Sequence, residues 1–568
     1  MKMTGAQIFS ETLKDLGVEY IFGYPGGAVL YLYDELFKTP ELKHVLCRHE
    51  QGGVHMADGY AKISGKVGVA LVTSGPGATN AITGLATAYM DSVPIVVFSG
   101  QVPVPMIGLD AFQEADTVGI SRPCTKHNYL VKDVKDLERT IREAFYVAAS
   151  GRPGPVLVDI PKDITTHTCE YVKTEKIKLR GYNPIKEGHL GQINKAINLI
   201  LESRKPVLYI GGGVVLSGAQ HEMVELAELL NLPVAMTLMG LGGFPGKHRL
   251  SLNMLGMHGY YHANMSMSNS DLLVAIGARF DDRVTGKLDE FAVGARIVHI
   301  DIDPSSIAKN VKVDVPIVGD VKCVLKQMIE VLKERKSELK KFHKAVLPWH
   351  DQINDWRVQH PLDYKLEPGV IKPQSVLETL YKVTGGDAIL TTDVGQHQMW
   401  AAQYYHFNKI RRWCTSGGLG TMGYGLPAAI GAQLADPKAD VFCISGDGSI
   451  QMNIQELATA MQYRTPVKIV ILNNGYLGMV RQWQEFFYGS RYSESYFDSL
   501  PDFVKLAEAY GCVGLRCTEP DKVEFVIKES LKIKKPVILD FVVSGSENVF
   551  PMVPSGASIK DMIVSNEE

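Results

Sequence analysis

The chain has 568 residues, 45% of them hydrophobic and 21% charged. That length allows about three or four domains, and the composition is that of an ordinary globular protein, not a disordered or fibrous one. A net charge of −3 gives no electrostatic reason to expect nucleic acid or an anionic membrane as a partner.

Residues 1–165 alternate helical and strand patterns. Thr4 is placed to cap a helix running through Leu16, and Val18–Phe22 reads as a strand leading into Tyr24-Pro25-Gly26-Gly27. Val45-Leu46-Cys47 is a short strand that delivers Arg48-His49-Glu50-Gln51-Gly52-Gly53 to a small-residue helix, and Val67–Val72 follows. Residues 166–190 are polar and irregular and read as a linker. Val207–Ile210 then runs into Gly211-Gly212-Gly213, which has two glycines of a dinucleotide-binding turn but not its third; a plain strand-to-helix turn fits equally well. Further strands, Leu272–Ile276 and Ile297–Ile300, end at Gly277-Ala278-Arg279-Phe280-Asp281-Asp282-Arg283 and Asp301-Ile302-Asp303-Pro304. Arginines and aspartates at strand ends suit phosphate and ribose hydroxyls along one sheet edge, or equally a surface ion-pair network. Residues 336–372, charged and rich in Trp, His and Pro, read as a second linker. The central domain is therefore set at 191–335, the last at 373–545, and an apolar arm at 546–568 is expected to fold back over a site.

The stretch richest in chemistry lies in the last domain. Val441–Ile444 is an apolar strand that stops at Ser445-Gly446-Asp447-Gly448-Ser449; Ile450–Tyr463 reads as a helix, and Val467–Leu472 is a second strand ending in Asn473-Asn474. Parallel strands end on one edge, so Asp447 and Asn474 converge. The glycines admit a diphosphate to the backbone, and a carboxylate with an amide oxygen suits Mg²⁺. A lone Gly-Asp-Gly is only a turn; its distance from Asn473-Asn474 makes the signal specific. The first domain repeats this pattern: Val69–Val72 ends in Thr73-Ser74-Gly75-Pro76-Gly77, before a helix rich in Ala and Thr. Pro76 stands where Asp447 stands in the last domain, so only the last copy offers a metal ligand. Two α/β domains of one architecture, at the two ends of the chain, are expected.

Eight scattered cysteines without a Cys-x-x-Cys pair favour reduced core thiols over disulfides or zinc. His258 and His262 have i, i+4 spacing, but no glutamate follows the first, so zinc is not expected. There is no signal-like leader and no apolar run long enough to span a bilayer, so a cytoplasmic protein without membrane contact is expected.

The Asp447 to Asn474 pattern resembles the signature of thiamine-diphosphate enzymes. With Arg48–Gly52, Phe112–Asp116, Pro161–Asp163, Gly277–Arg283 and Asp393–Trp400, the likeness extends along nearly the whole chain to the catalytic large subunit of the acetohydroxyacid (acetolactate) synthase family. The resemblance implies an α/β fold of three doubly wound parallel-sheet domains: a pyrimidine-binding domain, a Rossmann-like FAD domain and a diphosphate domain. It implies thiamine diphosphate, Mg²⁺ and FAD as cofactors, at least a homodimer with the active site between subunits, and a small regulatory subunit. The implied reaction decarboxylates pyruvate on thiamine diphosphate and condenses the hydroxyethyl carbanion with pyruvate or 2-oxobutyrate, giving precursors of the branched-chain amino acids. FAD has no net redox role in it.

Site residues follow from the same resemblance. Glu50 is the carboxylate that drives the cofactor's aminopyrimidine tautomer, and the Gly27 N–H orients intermediates. Gln113 and Lys162 lie near the substrate path; apart from the family, Lys162 reads as an exposed lysine. The metal falls to Asp447, Asn474 and the Tyr476 carbonyl. Gln396, His397, Gly420, Met422, Gly446, Gly448, Ser449 and Met479 surround thiamine diphosphate, with Met422 propping the bent cofactor. Phe112, Val480, Trp483 and Arg283 face the substrates; without the family, Met479, Val480 and Trp483 read as a core stripe. FAD falls to Arg152, Gly211, Gly212, Thr237, Leu238, Met257, His258, Gly259, Gly277, Arg279, Asp281, Arg283, Asp301, Ile302 and Asp320. The alternatives are pyruvate oxidase, a 2-oxo acid decarboxylase, the catabolic FAD-independent acetolactate synthase, a non-catalytic paralogue and a nicotinamide dehydrogenase.

Overall fold

The structure, a computed structural model, describes residues 1–565. Three six-stranded sheets, each wholly parallel, follow one another along the chain. In the first the strands lie in the order Lys43–Leu46, Tyr20–Gly23, Gly68–Val72, Ile95–Gln101, Val156–Pro161, His127–Leu130. The third runs Trp413–Cys414, Ile389–Thr392, Val441–Gly446, Lys468–Asn473, Val537–Val542, Val513–Cys517. Numbered within each domain, both orders are 2-1-3-4-6-5, so the two end domains share one topology. The middle sheet, from Ser251–Met254 through Val234–Met236, Pro206–Ile210, Leu272–Ile276 and Arg296–Asp301 to Val315–Val318, has the doubly wound 3-2-1-4-5-6 order of dinucleotide-binding domains.

Side-chain alternation along the third sheet sends each strand into two cores. Val441 and Cys443 pack towards the first domain, whereas Phe442 and Ile444 pack into a core shared with the central domain. Helices Glu50–Ser64 of the first domain and Gly425–Ala435 of the third cross in direct contact. Glycine is obligatory at that crossing: a Cβ at Gly59 would meet the Ala428 carbonyl oxygen at 2.2 Å, and one at Gly431 the Met56 carbonyl oxygen at 1.9 Å. Lys2–Thr4 pairs antiparallel with Thr168–Glu170, tying the start of the first domain to its end. Thr4 caps helix Gly5–Asp15 in a reciprocal capping box with Gln7.

Two sequence expectations need correction. The helix expected over 450–463 is broken: Asp447–Ile450 forms one turn and Glu456–Gln462 a separate helix. Asn453 lies at the break, with its Nδ2 donating to the Gly423 carbonyl at 2.8 Å. Residues 336–372 are not a plain linker. Helices Lys336–Ala345 and Leu347–Gln359 bury Leu339, Phe342, Trp349 and Ile353 in the central core, and burial of that much apolar surface is what holds charged helices in place. The C-terminal arm does fold back: Val549 and Met552 are fully buried, and the Val553 N–H donates to the Met257 carbonyl at 2.8 Å.

Candidate active site

The carboxyl edge of the third sheet holds a cleft lined by residues after four of its strands, among them Gln396, His397, Met422, Asp447, Ser449, Asn474, Met479 and Val480. Asp447 is 1% exposed. Its carboxylate accepts the Gly448 N–H at 2.8 Å and the Gly475 N–H at 2.6 Å, which ties the two strand ends together. Burial nevertheless dominates and raises its pKa to about 6, since desolvation disfavours the charged form. Asn474 Oδ1 accepts the Tyr476 N–H at 3.1 Å, and its Nδ2 reaches Gln396 Oε1 at 3.4 Å. Gly446, Gly448, Leu472, Tyr476, Leu477, Gly478, Val394, Gly395 and Trp400 complete the lining. Side chains are excluded at the glycines: a Cβ on Gly446 would meet the His397 ring at 3.0 Å, and one on Gly478 the Gln396 amide oxygen at 2.1 Å. Gly420, on the 417–422 loop at φ 72°, and Trp483, half-buried on helix Gly478–Phe487, are not among the lining residues.

Gly27, Glu50 and Lys162 each come shortly after a strand of the first sheet, at its carboxyl edge, and Gln113 lies in the longer loop after Ile95–Gln101. Glu50 begins helix Glu50–Ser64 and accepts Asn80 Nδ2 at 3.0 Å. The Ser74–Gly77 turn touches two of the four: a Cβ on Gly77 would lie 3.3 Å from Glu50 Oε1, and one on Gly75 2.8 Å from the Gln113 carbonyl. Gln113 has φ 60° in an irregular loop, and neighbouring Phe112 is 87% exposed. Gly27 faces open space and Lys162 is half-buried at the head of a short helix. None of these residues lines the Asp447 cleft of the same chain.

Along the carboxyl edge of the central sheet, Gly211, Thr237, Gly277, Asp301 and Asp320 follow strands. Gly277, at φ 59°, is pressed against Gly213, and a Cβ on Gly211 would lie 2.4 Å from the Gly277 carbonyl, so these two glycines serve backbone packing at the switch point between the two strands. Gly212 has more room, its nearest neighbour being Met239 Cβ at 3.3 Å. Arg279 donates to the Met90 carbonyl at 3.1 Å and lies 3.6 Å from Asp281, whose Oδ1 is buried without a partner. Burial raises the Asp301 pKa to about 6. Arg152 reaches Ser92, Asp303 and Ser306. Asp320 caps helix Val321–Glu334, Thr237 accepts the Gly240 N–H, and Arg283 lies 3.5 Å from the Met257 sulfur. His258, 6% exposed, faces the Pro551 carbonyl of the arm, with Gly259 beside it; Leu238 and Ile302 follow their strands.

Sequence reasoning missed two carboxylates that hold these edges in place. Glu456, wholly buried, accepts the Arg48 and His49 N–H groups at 3.0 Å, next to Glu50. Asp91 accepts the N–H groups of Gly417 and Gly418, at the start of the Gly420–Met422 loop. Their only local signal is an acidic residue amid apolar neighbours.

Residues 3–120 match the family described as thiamine pyrophosphate enzyme, N-terminal TPP binding domain; residues 193–328 match its central domain, and residues 393–541 its C-terminal TPP binding domain. The chain is 53% identical over 574 residues to the acetolactate synthase isozyme 3 large subunit of Escherichia coli strain K12, covering all of this chain and 99% of the relative. It is 51% identical over 570 residues to the acetolactate synthase large subunit of Haemophilus influenzae, with the same coverage. To the acetolactate synthase of Mycobacterium leprae it is 50% identical over 570 residues, covering 98% of this chain and 90% of that one. The chain belongs to the acetolactate synthase large-subunit family. Acetolactate synthase family members are thiamine-diphosphate enzymes, and the Asp447 cleft fits the diphosphate end of that cofactor. It offers glycines where a side chain would clash, a buried carboxylate at Asp447 and a His397 Nε2 buried without a partner. Among the described residues, no helix is long and apolar enough to cross a membrane.

Proposed function

We propose that the chain catalyses acetolactate synthesis. It decarboxylates pyruvate and joins the remaining two-carbon unit to a second pyruvate, giving acetolactate, or to 2-oxobutyrate, giving acetohydroxybutyrate, in branched-chain amino-acid biosynthesis. The observation that carries the reading is identity of about half the residues over the full chain to acetolactate synthase large subunits, with Glu50, Asp447 and Asn474 all present.

Thiamine diphosphate, when bound, supplies an electron sink at the carbon that loses carbon dioxide. The chain's residues do the rest. Asp447, Asn474 and the Tyr476 carbonyl would hold Mg²⁺, a hard cation suited to oxygen donors. Gln396, His397 and the glycine turn receive the diphosphate. Glu50 would exchange a proton with the cofactor's aminopyrimidine nitrogen, Gly27 would donate its N–H towards the reacting carbonyl, and Gln113 and Lys162 would orient the substrate carboxylates. Separation of the Glu50 edge from the Asp447 cleft within one chain supports a site completed by a second copy, hence a homodimer at least. FAD is proposed along the central sheet, from Arg152 and Gly212 past Arg279 to Asp301; the unpartnered Asp281 Oδ1 supports a polar ligand there. The proposal includes end domains over 1–165 and 373–545, a central domain from 191 that takes in the helices Lys336–Ala345 and Leu347–Gln359, a small regulatory subunit and a cytoplasmic setting.

Purified protein given pyruvate, thiamine diphosphate, Mg²⁺ and FAD without oxygen is expected to form acetolactate, and acetohydroxybutyrate when 2-oxobutyrate is added. Acetaldehyde alone, or hydrogen peroxide formed in step with pyruvate loss under air, overturns the reading. Asp447→Ala is expected to abolish cofactor binding with circular dichroism unchanged.

A further inference from the structure

The strand-to-helix turn that presents Glu50 is gripped from another domain. Helix Glu456–Gln462 of the third domain lies against residues 46–49 of the first. Glu456 is fully buried, and its Oε1 accepts the N–H groups of Arg48 and His49, each at 3.0 Å. Its Oε2 accepts the Thr459 hydroxyl at 2.6 Å. The Tyr463 hydroxyl accepts the Leu46 N–H at 2.7 Å, and the Arg48 guanidinium donates to Gln462 Oε1 at 2.6 Å and to the Leu46 carbonyl at 2.8 Å. Gly52 leaves room for this arrangement, since a Cβ there would lie 2.5 Å from Glu456 Oε1.

Glu456, Thr459, Gln462 and Tyr463 do not line the Asp447 cleft, so their hold on the turn is separate from diphosphate binding. Backbone N–H groups ahead of a helix can be satisfied by water. Here a carboxylate from another domain satisfies two of them, and charge-assisted bonds of this kind fix direction as well as position. Direction matters because Glu50 follows His49 at the head of helix Glu50–Ser64, where Asn80 Nδ2 donates to its carboxylate at 3.0 Å. Asn80 steadies the side chain, and Glu456 steadies the backbone from which it springs. Three residues before Glu456, Asn453 ties the same segment to the Gly423 carbonyl beside Met422.

We propose that Glu456 is a positioning residue for Glu50: by holding the Arg48 and His49 N–H groups, it aims the carboxylate that serves the cofactor's aminopyrimidine. The inference rests on the role given to Glu50 under the proposed function. Glu456 itself touches neither substrate nor cofactor and carries no proton in the reaction.

The test uses the full protein loaded with thiamine diphosphate, Mg²⁺ and FAD, and reads deuterium exchange at the cofactor's reactive carbon. A misplacement of about 1 Å can cost about 10²-fold, so Glu456→Ala is expected to slow exchange about 10- to 100-fold while cofactor affinity stays within about threefold. Glu456→Gln is expected to recover most of that loss, because its amide oxygen still accepts both N–H groups and Thr459 can turn to accept its Nε2. In a Glu50→Gln background, Glu456→Ala is expected to add nothing, since the group it aims is gone. A purely structural role would lower the melting temperature yet leave exchange unchanged in the folded, loaded protein, or give equal losses in both backgrounds; either result overturns the proposal.

If Glu456→Ala does not fold, Gly52→Ala, which keeps the carboxylate but displaces it, is read in the same way. Backbone amide exchange of the unaltered protein without cofactor needs no variant. The Arg48 and His49 N–H groups are expected to be protected, and exchange at the rate of a free loop overturns the grip. If Glu50→Gln itself leaves cofactor exchange unchanged, the role of Glu50 falls and this inference with it. If only Glu456→Ala leaves it unchanged, the role of Glu50 stands and this inference alone falls.

Discussion

Asp91 of the first domain holds Gly418 of the third: its Oδ1 accepts the Gly418 N–H at 2.7 Å, while Oδ2 lies 3.1 Å from Lys62. Lys62 also pairs with Asp58 at 3.1 Å, and Asp58 accepts the Tyr424 hydroxyl at 2.5 Å. Burial works against the Lys62 charge, but the two aspartates outweigh it and raise its pKa. Asp91→Ala strips one counter-charge from a buried cation and leaves two N–H groups bare. Loss of about 3–5 kcal/mol is expected, together with weaker thiamine-diphosphate binding through the loosened Gly420–Met422 loop. Thermal unfolding and cofactor titration measure both; an unchanged melting temperature sinks the argument.

Asp159 gives a pH dependence. It is 1% exposed, with Ser99 and Gln101 donating to its two oxygens at 2.7 and 3.0 Å. Burial outweighs those bonds and raises its pKa from 3.8 to about 7. The folded state therefore binds a proton that the unfolded chain has released. That contribution is fully present below pH 3.8 and is lost as pH rises through about 7, in total on the order of 4 kcal/mol. Asp159→Asn is expected to flatten the stability profile of the first domain between pH 4 and 7. Denaturant unfolding at several pH values tests it, and parallel profiles for the two proteins count against the assignment.

Glu50→Gln preserves shape and the Asn80 contact but removes the proton carrier. A fall of about 10²–10⁴-fold in activity is expected, with cofactor still bound. Deuterium exchange at the cofactor's reactive carbon, followed by magnetic resonance, should slow in parallel. Exchange at the original rate would give Glu50 another job.

Trp483 sits half-buried on helix Gly478–Phe487, edge to face with Phe487 at 6.4 Å, and its indole N–H has no partner. Met479 and Val480, one turn earlier on that helix, line the cofactor cleft. 2-Oxobutyrate exceeds pyruvate by one methylene, enough for discrimination of about 1–3 kcal/mol. Trp483→Leu is expected to erase most preference for 2-oxobutyrate while acetolactate formation continues. The product ratio with both acids competing decides it; an unaltered ratio returns Trp483 to a packing role.

What the sequence revealed was local. Apolar runs ending in Gly-x-Gly located the strand ends that carry Asp447 and Gly75, a third run ending in Asn473-Asn474 located Asn474, and the repeated Gly-x-Gly turn anticipated two end domains of one topology. The Leu339, Phe342, Val346, Trp349, Ile353 spacing of threes and fours marks an amphipathic helical stretch, but surrounding charge disguised it as a linker. Glu456 and Asp91 were illegible for a different reason. Their partners, Arg48 and Gly418, are more than 300 positions away, and no local periodicity encodes a contact at that separation.

The glycine crossing of Gly59 on Ala428 also sets a schedule for synthesis. Helix Glu50–Ser64 leaves the ribosome some 360 residues before the helix it must embrace. At about 5–20 residues per second the interval is roughly 20–70 s. Throughout it, a small-residue apolar face stands uncovered while the whole central domain is made and folds. The nascent first domain is thus the species most in need of a chaperone, and truncation before residue 425 should leave it prone to aggregate even though its own sheet is complete.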